Sequence, residues 1–349
     1  MLGATGTVGQ RICHMLRDHP WFEVSTITGG TSAGKLYGEA VDWLIPAEIP
    51  ENLIDMGIEP SKPDGVDADL VFSALPSDRA REIEPLFAGA GFAVVSNASV
   101  FRMEEDVPLV VPEVNPDHVE LIGCQRENRG WKGFIATDPN CSTINLVLAL
   151  KPLHDAIRIR KVVVTTMQAI SGAGYPGVPS LSIVDNVIPY IRGEEEKMRR
   201  ETLKVLGRLD GGRVEDAPIA VAASCNRVPT VDGHLEAVYL EAEGDIDLEA
   251  VKEVFRGFRG FRGAAQELKL PTAPDAPVIL REEDDRPQTR LDRMAGSVPG
   301  MSVTVGRLRP GVNKRSLQFA VLGHNTIRGA AGGTILLAEL LVARHWIRS

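Results

Sequence analysis

Of the four cysteines in the chain, at positions 13, 124, 141 and 225, one stands where a nucleophile is expected. Cys141 lies in Asp138-Pro-Asn140-Cys141-Ser-Thr143-Ile-Asn145, after a strand-like segment at 134–137 and before an apolar run reaching Leu153. A strand, a Pro-Asn turn and a helix in that order place the cysteine at a helix N-terminus and aim its side chain at a cleft. The free N–H groups and positive dipole end of such a helix are expected to lower the thiol pKa and to hold an oxyanion. A partner is available in His234, whose neighbour Gly233 permits a tight turn. Its imidazole, titrating near neutrality, can take the thiol proton and shuttle protons afterwards. Cys13, Cys124 and Cys225 read as small core residues, and His14, His19, His118, His154 and His345 as satisfied core or surface groups. With no CxxC pair and no Cys/His cluster at ligand spacing, neither a disulfide framework nor a metal site is expected.

A second segment has the chemistry of a phosphate cradle. Gly3-Ala-Thr5-Gly6-Thr7-Val8-Gly9 spaces its glycines by three and runs into an amphipathic helix with Val8, Ile12 and Leu16 on one side. Small residues let the backbone approach a pyrophosphate, and the helix N-terminus offers unpaired donors. The next strand ends at Ile27-Thr28 without an acidic residue to bind a ribose hydroxyl, and continues as Gly29-Gly-Thr31-Ser32-Ala-Gly-Lys35. Hydroxyls and a lysine suit a 2'-phosphate, so NADP is the expected cofactor. Met1 and Leu2 alone precede the loop, so the strand expected at the centre of the sheet is almost wholly missing. A misplaced start explains this best; otherwise the dinucleotide lobe is expected to be damaged.

These groups need a scaffold. The first ~140 residues alternate β-rich runs at 22–28, 68–74, 92–96 and 109–111 with helical patterns, which predicts a parallel, doubly wound sheet. Longer strands follow at 161–169, 219–224, 235–243, 302–308 and 317–322, with helices at 194–206 and 248–256. The expectation is an α/β chain: a Rossmann-type dinucleotide domain at 1–140 and 325–349, and an α+β catalytic and oligomerisation domain at 141–324. An Ala/Gly/Leu-rich helix at 326–343 is expected to pack back on the first lobe.

Composition narrows the function classes. The 349 residues, 44% hydrophobic, suffice for two cores, and 38 basic against 47 acidic residues give a net charge of -9. Without a Lys/Arg cluster, nucleic-acid binding is disfavoured. The acidic runs at 194–196 and 282–285 read as solvated faces. The longest apolar stretch, at 335–343, is short and interrupted by Glu339, so no membrane association is expected, and reduced cysteines fit the cytoplasm.

Several motifs then converge. Pro139-Asn-Cys-Ser-Thr-Ile144, Met167-Gln-Ala-Ile-Ser-Gly-Ala-Gly174 and Arg227-Val-Pro-Thr-Val-Asp-Gly-His234 resemble the aspartate-semialdehyde dehydrogenase family. So do the glycine loop and the segments at 107–115, 286–293 and 325–333, in the form found in archaea and fungi. The resemblance covers nearly the whole chain. It implies Cys141 as nucleophile, His234 as acid/base, Gln168 beside the nucleophile and Asn140 with the Cys141 N–H as oxyanion donors. It further implies Arg227 as the grip on the substrate carboxylate, Arg102 on the phosphate, and Glu194 with Lys197 at the substrate amine and phosphate. Ser73, Ser171, Gly172 and Asn325 complete the expected cofactor contacts. The implied reaction is NADPH-dependent reductive dephosphorylation of aspartyl-4-phosphate through a thioester, on the route to lysine, threonine and methionine, in a homodimer or homotetramer. The alternatives are a malonyl-CoA or succinyl-CoA reductase on the same scaffold, an N-acetylglutamyl-phosphate reductase, which fits the motifs less well, and a non-catalytic NADP-binding protein, against which the intact Cys141, Gln168, Arg227 and His234 argue.

Overall fold

A computed structural model describes residues 1–260 and 264–347, so 348–349, at the end of the expected first domain, lie outside the described residues. In the first lobe, β1 (Ile27–Gly29) pairs in parallel with β2 (Ile58–Pro60), and β3 (Leu70–Ser73), β4 (Ala93–Ser96) and β5 (Phe134–Thr137) form a parallel run in that order. The residues of β4 and β5 are all buried, as expected of parallel strands covered on both faces. Helices α1 (Thr7–Met15), α2 (Ser77–Ala90) and α3 (Leu121–Arg129) belong to this lobe.

Two of the expected strands are shorter than the pattern implied. Residues 22–26 lie outside any ladder, and 109–111 contributes a single parallel bridge, Leu109 to Thr137. The reduced first strand still joins the two parts of the sheet. Leu2 bridges Thr28 on one side and Ser73 on the other, and the Met1 ammonium donates to the Thr26 carbonyl at 2.6 Å. The glycine loop is therefore anchored at its root, while a cavity of about 710 Å³ opens beside Met1, lined by residues of 21–28 and 66–72.

Helix α4 (Cys141–Ile157) leads into the second lobe. Its sheet has the order β11 (Val278–Leu280), β12 (Val303–Pro310), β13 (Ser316–Gly323), β10 (His234–Ala242), β6 (Ile159–Gln168), β9 (Ala220–Arg227), with a small hairpin β7 (Arg208–Asp210) and β8 (Arg213–Glu215) outside it. Val162, Val164, Thr166 and Gln168 are buried, whereas Lys161, Val163 and Thr165 are exposed. That alternation marks a sheet with one covered face. Helix α4 packs on the covered face with α5 (Glu194–Val205) and α6 (Leu248–Gly257), in one apolar cluster with Val164, Val238 and Phe319.

The last helix, α7 (Gly332–Ala343), is apolar all round and buried on every side from Gly332 to Leu341. It shares a cluster with Ile12, Phe72, Val95 and Phe134 of the first lobe. Glu339, which interrupts its apolar run, is fully buried and accepts hydrogen bonds from the Thr272 N–H, the Thr272 hydroxyl and His19 Nε2. Among the described residues no helix is long and apolar enough to cross a membrane.

Candidate active site

The register of the second sheet assembles a row of side chains at its end. Gln168 is paired with Arg227 in parallel, and His234 opens β10 opposite Gly323. The N-terminus of α4 faces this row and brings Cys141 Sγ to 3.2 Å from His234 Nε2. The other ring nitrogen, Nδ1, accepts the Ala169 backbone N–H at 3.1 Å. A nitrogen that accepts keeps its lone pair, so the neutral ring carries its proton on Nε2 and donates it to the sulfur. This differs from the expected transfer of the thiol proton to the imidazole: with Ala169 in place the ring has no free lone pair for it.

The electrostatics agree with a neutral pair. Burial, with Arg227 and His324 beside it, pushes the His234 pKa down to about 3. The Cys141 thiol is pushed up to about 12 by burial and by the carboxylate of Glu194, against the pull of Arg102, the Ser142 amide and Arg227. The expected acidic thiol is thus reversed, because desolvation outweighs the donors around it.

Asn140 stands at the start of α4. Its Oδ1 caps α4, accepting from Ser142 N at 2.9 Å and Thr143 N at 3.3 Å, which occupies two of the free donors and leaves the Cys141 amide outside the cap. One hydrogen of Asn140 Nδ2 goes to Glu194 Oε1 at 2.8 Å, leaving the other for an oxyanion. Glu194 is buried with its second oxygen 3.7 Å from Lys197 Nζ, and Glu195 accepts the Cys225 N–H. Of the three-glutamate run read as a solvated face, Glu195 and Glu196 are exposed, the latter paired with Arg199. Glu194 alone of the three is buried, on the inner side of α5.

Arg227 Nη1 donates to the Ala169 carbonyl at 2.7 Å, so the backbone of one residue orients both His234 and Arg227. Gly172 leaves room for them: a Cβ there would fall 2.8 Å from Arg227 Nη1 and 3.1 Å from His234 Cε1. Gln168 Nε2 donates to Thr166 Oγ1 at 3.2 Å. Arg102 is buried, with Nη2 on the Asn97 carbonyl at 2.8 Å and Nη1 on Glu201 at 3.2 Å. Asn325 joins Ser171 Oγ to the Gly233 N–H, each at 2.8 Å.

A cavity of about 750 Å³ lies at the glycine loop, lined by Gly3, Thr5, Gly6, Thr7, Val8, Thr31 and Ser32 as expected. Its backbone is shaped for close approach. Gly3 takes φ +73° with the Ala74 carbonyl oxygen 2.9 Å from where a Cβ would sit, and a Cβ on Gly9 would collide with the Gly3 carbonyl. Gly6 is the N-cap of α1 and has no side-chain oxygen over the first turn, so its donors face an incoming anion. The cavity fits a dinucleotide. Lys35, however, is exposed and outside it, and Ser73 is buried in β3, with Ala74 and Leu75 lining the wall in its place. The basic group in the wall is Arg79. Ser171, Gly172 and Asn325 sit beside His234, whereas Ala173, Gly174 and Tyr175 reach the cavity, as does Asn97, whose carbonyl also holds Arg102.

Two family models match in the same order as the lobes: residues 1–122 match the NAD binding domain of semialdehyde dehydrogenase, and 150–328 its dimerisation domain. The chain belongs to the semialdehyde dehydrogenase family. An aspartate-semialdehyde dehydrogenase of Archaeoglobus fulgidus is 56% identical over 98% of this chain and 97% of its own length. The NADP-dependent malonyl CoA reductase of Metallosphaera sedula is 43% identical over 99% and 97%. Among solved structures, the aspartate semialdehyde dehydrogenase of Candida albicans with NADP superposes with a TM-score of 0.91 at 42% identity, covering 99% of this chain and 98% of that one. For this semialdehyde dehydrogenase, sequence reasoning missed Ala169, Glu201, Lys204, Arg79 and His324. Ala169 acts through its peptide group, which no residue type announces. Glu201 and Lys204 did leave a signal, since they follow Glu194 at seven and ten residues and so lie on one helix face with it.

Proposed function

We propose that the protein is an NADP-dependent aspartate-semialdehyde dehydrogenase, acting on aspartyl-4-phosphate through a thioester on Cys141. The observation that carries the reading is the 3.2 Å contact of Cys141 with His234 inside a ring of both signs, Glu194 and Lys197 on one side and Arg102 and Arg227 on the other. A substrate with an ammonium, a carboxylate and a phosphate calls for that mixture; a plain acyl-CoA leaves Glu194 without a counterpart.

The residues then have separable tasks. Arg227 holds the substrate carboxylate and Arg102 with Lys197 the phosphate. Burial is the main cause that raises the thiol pKa and Glu194 the second; a substrate ammonium against Glu194 offsets that second cause and moves the thiol toward the thiolate when substrate is in place. The sulfur attacks the acyl carbon as its proton passes to the phosphate, the Cys141 N–H and the free Asn140 Nδ2 hydrogen meet the oxyanion, and phosphate leaves. A thioester accepts hydride far more readily than a carboxylate, and the bound NADPH supplies that hydride. When the carbon–sulfur bond breaks, His234 Nε2–H is already directed at the departing sulfur. The second lobe is the proposed dimer-forming part, supported by exposed Leu181, Val184, Val187 and Tyr190.

The test is NADP reduction with aspartate semialdehyde and phosphate, run beside NADP reduction with malonate or succinate semialdehyde and coenzyme A. Phosphate-dependent turnover is expected. A faster coenzyme A-dependent reaction giving or consuming malonyl-CoA or succinyl-CoA would replace this reading by an acyl-CoA reductase.

A further inference from the structure

Helix α5 turns three buried charges, Glu194, Glu201 and Lys204, toward the site. Glu201 divides its carboxylate between two functional groups. Its Oε1 accepts from Arg102 Nη1 at 3.2 Å, and its Oε2 from the backbone N–H of Asn140 at 2.6 Å. Glu194 holds the same Asn140 by its side chain. Lys204 Nζ donates to the carbonyls of Arg102, Glu104 and Val107 at 2.8, 2.7 and 2.9 Å, which fastens the segment carrying Arg102 to the same helix. One rigid helix thus fixes both the guanidinium assigned to the phosphate and the residue that caps the nucleophile's helix.

The geometry points to Glu201 as a positioning residue that sets the phosphate grip relative to the nucleophile's turn and screens the sulfur from the charge of Arg102. The assignment rests on Arg102 meeting the phosphate. Arg102 is one of the groups that draw the thiol toward ionisation, and a carboxylate in contact with it offsets that pull. A buried ion pair serving stability alone would give neither effect; its loss would lower the folded fraction and leave the folded molecules unchanged.

The experiment compares the wild-type enzyme with Glu201→Gln, Arg102→Ala and the double variant. Cys141 alkylation by iodoacetamide near neutral pH is followed by peptide mass, phosphate kinetics by NADP reduction, and folding by cofactor titration. Glu201→Gln keeps the shape but removes the charge. Its alkylation is expected to speed up by about three- to tenfold, as a thiol pKa lowered by up to one unit requires. Its KM for phosphate is expected to rise by roughly tenfold or more as the guanidinium loses its orientation. NADP binding stays within about twofold, and in the Arg102→Ala background the alkylation effect disappears, since the two residues act as one unit. Unchanged alkylation and phosphate KM, or an acceleration that persists without Arg102, overturns the assignment. If the wild type shows no phosphate-dependent reaction, the functional reading fails, while the alkylation comparison still judges Glu201 alone.

Discussion

Two helices of this protein begin at the cavity and the site proposed to bind cofactor and substrate, and they begin differently. Helix α1 starts at Gly6 with no side chain over its first turn, so its donors stay open to an anion. Helix α4 starts at Asn140, whose Oδ1 takes the N–H groups of Ser142 and Thr143. The first end is an anion cradle made of backbone. The second is already satisfied, and the cysteine seated on it keeps a thiol that burial pushes up to about 12. A helix N-terminus therefore does not by itself make an acidic cysteine; burial and the neighbouring Glu194 carboxylate outweigh it here.

The largest expected effect separates the two ends outright. Cys141→Ser should lower turnover by on the order of a thousandfold or more, because a hydroxyl is the weaker nucleophile. NADP affinity should stay within about twofold, since the residue takes no part in the cradle. Full activity in that variant would falsify the thioester route. Arg227→Lys should cost roughly a hundredfold in kcat/KM, on the scale of lost substrate positioning, with NADPH binding again unchanged. Steady-state kinetics and cofactor titration on one preparation decide it, and an unchanged kcat/KM moves substrate recognition to other cations.

The acidity contrast has its own measurement. With the thiol pKa far above neutrality and the unliganded site intact, Cys141 alkylation should climb about tenfold per pH unit from pH 7 to 9, following the thiolate fraction. A plateau already reached by pH 7 would show that the cap leaves the sulfur acidic after all. At the other end, Gly9→Ala drives a methyl into the Gly3 carbonyl and should weaken NADPH binding by about tenfold, a steric cost of ~1–3 kcal/mol, without altering Cys141 alkylation. The smallest effect concerns cofactor choice. Arg79→Ala should reduce the preference for NADPH over NADH by about fivefold, while Lys35→Ala changes it less than twofold. The opposite order would restore Lys35 as the 2'-phosphate contact.

Much of the scaffold was legible because burial writes periodicity into sequence. The alternation at 161–168 marks a one-sided sheet, and Ala93-Val-Val-Ser96 and Phe134-Ile-Ala-Thr137 mark strands covered twice. Strand length was less legible: 22–26 has the β-rich composition yet forms no ladder. In the site, Cys141, His234, Gln168, Arg227, Glu194 and Lys197 could be chosen by type and motif, and the structure gathers them. Their protonation could not be chosen that way. It depends on desolvation and on a single peptide group, Ala169, whose N–H fixes the imidazole tautomer. Lys35 lies outside the cavity for a related reason, because its place in a hydroxyl-rich loop says nothing about which way that loop faces.

The last stretch of chain has a temporal meaning. Asn325 braces Gly233 and Ser171, Arg328 forms a buried pair with Glu113 at 2.6 Å, and a Cβ on Gly329 would lie only 2.6 Å from that of Cys141. These contacts join residues made early in synthesis to residues made much later, so the nucleophile cannot be seated until the segment at 325–329 has been made. A chain that stops before that segment would carry the cysteine without its setting, and catalytic competence becomes a readout that residues 325–329 have arrived and docked.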